Sequence, residues 1–76
     1  MSYTVRGLPF WSDNPRDRSL GFHLRRRPFK TLRGARRAAT WAVTRDGYAA
    51  ATIREDDERV LVTLMDDPST GVFEIK

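Results

Sequence analysis

The chain alternates apolar and polar residues near both ends and changes to a helical rhythm in its middle. In Ser2–Arg6, Tyr3 and Val5 alternate with polar neighbours, a strand signal that Gly7 and Pro9 are expected to stop. Leu8, Phe10 and Trp11 then crowd into a loop expected to fold back on the core, and Ser12-Asp13-Asn14-Pro15 is turn chemistry. Ser19–Arg25 alternates again, with Leu20, Phe22 and Leu24 toward a core and Gly21, His23 and Arg25 toward solvent. Pro28 ends that strand because it brings no N–H to a ladder.

From Thr31 the period becomes helical. Thr31 is a suitable N-cap for a helix from Leu32 to about Asp46, and Gly47 suits the left-handed residue that closes it. At about 100° per residue, Leu32, Ala35, Ala39, Ala42 and Val43 share one face. Arg33, Arg37, Thr40 and Thr44 form the opposite face, with Arg36 and Trp41 flanking it. Side chains so small on the apolar face let the helix lie close to a sheet.

Alternation returns at Tyr48. Tyr48–Glu55 and Glu58–Met65 read as a hairpin about Asp56-Asp57. Pairing Glu55 with Glu58 sets Ile53 opposite Val60, Ala51 opposite Val62 and Ala49 opposite Leu64, all on one face. The other face keeps Leu61 and Met65, the residues expected to be half covered by a partner, a second copy or the aromatic loop. After the turn Asp66–Gly71, a last strand Val72–Lys76 is expected to point Phe73 and Ile75 inward. The predicted architecture is a single α+β domain over 1–76: a small antiparallel sheet of four to five strands, packed on one face by a single helix.

Charge sharpens this picture. The 76 residues carry a net +4, but residues 1–45 hold eleven Lys and Arg against two Asp, and residues 46–76 hold three against eight. Arg25, Arg26, Arg27, Lys30, Arg33, Arg36, Arg37 and Arg45 follow one another with no carboxylate between Arg25 and Arg45. Arg33, Arg36 and Arg37 even occupy the first two turns of the helix, where the dipole favours acids; the same arrangement suits an anion. Such segregation points to a polyanion, or to a basic face meeting an acidic one.

Candidate chemistry is sparse. There is no cysteine, so neither a disulfide framework nor a thiolate metal site is available. His23 is the single histidine, and no glycine-rich phosphate loop occurs. Glu55-Asp56-Asp57-Glu58 lacks calcium-loop spacing and reads as a solvated turn. Asp46-Gly47-Tyr48-Ala49 resembles part of the RNA-recognition-module strand, but its first position is acidic, Ala50 replaces the stacking aromatic and the pattern offers no second helix, so that match is rejected. The expectation is therefore a non-enzymatic protein without catalytic residues, cofactor or metal. No apolar run is long enough for a bilayer and no signal-peptide pattern opens the chain, so a soluble cytoplasmic protein is expected. As an arginine-rich, cysteine-free small domain, the chain resembles in composition the small accessory proteins of actinobacterial phages.

The leading expectation is nucleic-acid binding of low sequence specificity, to DNA in preference to RNA. Arg25, Arg26, Arg27, Lys30, Arg33, Arg36 and Arg37 would track phosphates, and Trp41 would offer one stacking ring. The alternative is a phage or host regulatory module that binds a partner protein, or itself as a homodimer, through Leu61 and Met65.

Overall fold

In a computed structural model, described for residues 2–9, 14, 21–67, 69 and 71–75, these residues form five strands and one helix. They are β1 (Tyr3–Leu8), β2 (Phe22–His23), α1 (Leu32–Thr44), β3 (Ala50–Glu55), β4 (Arg59–Asp67) and β5 (Gly71–Ile75). The strands make one antiparallel sheet in the order β2-β1-β3-β4-β5, with α1 across one face, so the predicted α+β architecture holds. Expectations for Phe10, Trp11 and Leu20 lie outside the described residues, and of the Ser12–Pro15 turn only Asn14 is described.

The core lies between α1 and the sheet. Ala35, Ala39, Ala42 and Val43 of the helix meet Val5, Ala51, Ile53, Val62 and Leu64. Ile53 and Leu64 are the bulkiest apolar side chains fully buried there. Each contributes about 1.5–3 kcal/mol by leaving water. Thr31 caps the helix as expected: its hydroxyl accepts from Gly34 N–H at 3.1 Å. The helix stops at Thr44 rather than near Asp46; Gly47 takes φ +81 and Tyr48 N–H donates to the Ala42 carbonyl at 3.2 Å. Leu32, expected in the core, is 37% exposed because it opens the first turn, beyond the stretch that the sheet covers.

Four strand expectations need correction. Gly7 does not stop β1; it lies inside it, paired with Ala51 on one side and Phe22 on the other. Of the second strand, expected over Ser19–Arg25, the described residues form only Phe22–His23, at the end of the sheet order, and Phe22 is exposed where burial was expected. The hairpin register differs by two residues. Its turn is a residue longer, with Asp56 and Asp57 at φ 50 and 60 and Glu55 opposite Arg59. A bulge then inserts Leu61, so Ile53 faces Val62 and Ala51 faces Leu64, while Val60 is left 45% exposed. Two added residues restore the parity, which is why Val62 and Leu64 still reach the core. In β5 the parity is reversed: Met65 pairs with Phe73, so Phe73 and Ile75 lie on the face away from α1, and Val72 packs against the core.

The Asp56-Asp57 turn is not simply solvated. Asp57 accepts from Thr4 Oγ1 at 3.0 Å and from Arg6 Nε and Nη2 at 3.2 Å, with His23 Nε2 at 3.6 Å. Asp56 accepts from Ser2 N–H at 3.0 Å and returns its own N–H to the Ser2 carbonyl at 2.9 Å. These bonds tie the turn down onto β1. They hold both carboxyls below the usual carboxylate range, Asp57 chiefly through Arg6 and Asp56 chiefly through the Ser2 N–H.

Candidate nucleic-acid interface

The basic segment is an arch with two fixed feet. Leu24 N–H donates to the Val5 carbonyl at 3.0 Å, and Phe29 exchanges backbone bonds with Tyr3 at 2.7 and 2.8 Å. Between the feet the chain leaves the sheet, since Pro28 has no N–H for a ladder. Arg25 organises the arch from within. Its Nε donates to the Arg27 carbonyl at 2.8 Å, its Nη2 to the Pro28 carbonyl at 3.2 Å, and its guanidinium stacks 3.6 Å over the Phe29 ring. Arg26 and Arg27 are thereby left exposed at the crown, followed by exposed Lys30.

On α1 the predicted cations separate into two groups. Arg33 and Arg37 are exposed one turn apart, and Trp41, one turn further, is 52% exposed. Arg45 completes this row, its guanidinium 4.5 Å over the Trp41 ring. Arg36 is half-buried and ion-paired with Glu74 of β5, so it braces the helix against the sheet. Thr40 and Thr44 donate their hydroxyls to the Arg36 and Thr40 carbonyls at 2.8 Å, which keeps both within the helix.

A furrow runs between arch and helix. Its larger part is a cavity of about 480 Å³ lined by Phe29, Ala38, Trp41 and Tyr48, with Arg25, His23 and Asp46 as its polar members. A second part of about 380 Å³ shares Phe29, Ala38 and Trp41 and extends toward Gly34 and Arg37. Beyond it, Thr31 and Arg33 line a further hollow with Gly34 and Arg37, at the N-terminal end of the helix. The furrow exists because Gly34 and Ala38 are small. The Tyr48 ring is seated on the sheet by Gly7, which has no side chain to displace it.

Arg25, Arg26, Arg27, Lys30, Arg33, Arg37 and Trp41 thus share one side of the molecule, and Arg36 turns to the sheet. Phe29 and Ala38 have no signature in the sequence pattern, and Asp46 and Tyr48 stand out there only through the Asp46-Gly47-Tyr48-Ala49 resemblance. A signal for the row did exist, in the four-residue spacing of Arg33, Arg37, Trp41 and Arg45. Leu61 and Met65 are half-buried and belong to β4; Met65 lies on the sheet face away from α1, beside Phe73.

Comparison of the chain with protein-family models, curated proteins and solved structures gives no match. Among the described residues no three His, Asp or Glu side chains gather as a metal site, and no helix is long and apolar enough to cross a membrane.

Proposed function

We propose that this protein is a small non-enzymatic nucleic-acid-binding protein that uses the arginine-rich strand–helix junction with low sequence specificity. One observation carries the reading. Arg26, Arg27, Lys30, Arg33 and Arg37 are exposed on one side of the molecule, and among the described residues none of them is ion-paired. Cations kept apart from the acids of their own chain stay available to phosphates and release counterions on binding. Guanidiniums without base-reading neighbours position a backbone and do not read its sequence. The test is retention on immobilised DNA and on heparin as a function of ionic strength. If about four phosphates are neutralised, duplex affinity falls roughly a hundredfold between about 50 and 200 mM salt. Elution at low salt from both supports overturns the reading.

A second reading has its own observation. Phe73 and Ile75, 43% and 49% exposed, lie beside Met65 on the sheet face away from α1, and β5 is an edge strand. That favours contact with a protein, most simply a second copy of this chain.

A further inference from the structure

We infer that the furrow receives an unstacked base of a single strand, so that the preferred ligand is single-stranded nucleic acid and not a duplex. The inference rests on the nucleic-acid reading above and names the substrate class of that same surface.

Charge is distributed unevenly along the furrow. At one end are Arg33 and Arg37. At the other, Asp46 lines the same cavity as the Trp41 and Tyr48 rings, together with Arg25 and His23. The first end offers cations with no carboxylate in its lining, whereas at the second the Asp46 carboxylate offsets Arg25, so a phosphate is better placed at the first. What suits the whole length is a group with an anionic end and a flat, polarizable body: one nucleotide unit, phosphate toward Arg37 and base among the rings. The size agrees, because 480 Å³ falls within the range of about 300–1,000 Å³ typical of small-molecule sites.

The strand follows from the surroundings. Arg26 and Arg27 on the arch and Arg33 on the helix lie outside the cavity, where they serve phosphates on either side of the inserted base. A duplex keeps its base faces stacked against each other and offers none to Trp41, whereas a single strand offers one at every step. The guanidiniums of Arg25 and Arg45, already stacked on Phe29 and Trp41 at 3.6 and 4.5 Å, hold these walls upright. Asp46 also accepts hydrogen bonds from exocyclic amino groups, which a base carries and a phosphate does not.

The test compares a labelled single strand of roughly 12 nucleotides with the matching duplex by fluorescence anisotropy at about 50 mM salt. The single strand binds at least about tenfold more tightly, and Trp41→Ala reduces its affinity about tenfold while leaving the duplex unaffected. Trp41→Phe keeps most of the affinity, because a ring remains. Trp41 is half exposed, so truncation does not open the core, and the circular dichroism spectrum of each variant verifies this. If both ligands bind and Trp41→Ala changes neither, the furrow inference fails and the phosphate-tracking reading stands. If neither ligand binds, both fail. Mononucleotide AMP binding as tightly as the strand overturns the strand as ligand.

Discussion

The Tyr48 ring lies directly over Gly7: a Cβ built on Gly7 would stand 2.7–2.8 Å from three of its carbons. One residue without a side chain in β1 thus sets the position of an aromatic wall that arrives from beyond the helix. Gly7→Ala is therefore expected to destabilise the fold by about 1–3 kcal/mol, as overpacking does. The sign is informative, because glycine weakens an ordinary strand and its replacement there would stabilise. Urea denaturation decides the matter; an unchanged or raised midpoint would show that Tyr48 moves aside without penalty. The same variant should also weaken single-strand binding, since it displaces a ring that lines the furrow.

The tied-down turn makes a pH prediction. Asp56 and Asp57 have folded-state pKa values below the ordinary carboxylate value of about 4. Groups of this kind contribute stability that is fully present above the unfolded pKa and is lost as pH falls through the folded one. The urea midpoint should hold steady from neutral pH to about 5 and decline below about 4. The Asp57 side chain is 38% exposed, so solvent screening keeps its share near about 1 kcal/mol. Asp57→Asn, which tolerates the positive φ, should lower the midpoint at pH 7 and flatten the acid decline. Parallel curves for the two proteins would rule out the clamp as the cause.

Arg33 and Arg37 are expected to matter beyond their charge. Arg33→Glu or Arg37→Glu should each reduce DNA retention several-fold and lower the salt slope by about one phosphate. Arg59→Glu makes the same charge change at an exposed site on β4 and should have a much smaller effect. Equal losses in all three would mean that net charge alone governs binding. Arg36→Glu should behave differently again, because it places two carboxylates together at Glu74. It should lower thermal stability as well as affinity.

On the second sheet face, Phe73→Lys should abolish any self-association without unfolding the monomer, since Phe73 is 43% exposed. Sedimentation velocity over a range of concentrations measures this. A parent protein that stays monomeric at high micromolar concentration removes the homodimer from consideration.

Much of the fold could be read from local pattern. The Thr31 cap and the Ala35, Ala39, Ala42, Val43 face identify the helix, because both signals lie within a few turns of chain. What stayed hidden depends on distant or backbone events. Gly7 resembles a strand terminator until its partner Tyr48 is known. The left-handed Asp56 and Asp57 and the bulge at Leu61 change the register without an apolar signature. In β5 hydrophobicity favours Phe73 and Ile75 inward, yet pairing from the Asp67–Gly71 turn directs Glu74 to the helix side. There it takes up Arg36, so a single parity error in β5 also misplaced one cation of the candidate site. The arginines themselves were legible because nothing in their own segment could neutralise them. The furrow was not, because its walls come from three separate parts of the chain.

The strand order has a kinetic consequence. β3, β4 and β5 are joined by short turns and can zip up as neighbours, but β1 must find β3 across the whole intervening chain, with Tyr3 opposite Glu55. Loop closure of that kind slows folding and usually follows the local contacts. The C-terminal meander, with the helix laid on it, is thus the natural nucleus, and β1 docks late. Val62→Ala should then chiefly slow refolding, and Val5→Ala chiefly speed unfolding. Until β1 arrives, Leu24 and Phe29 have no backbone to grip, so the arginine arch takes its shape only in the last step of folding.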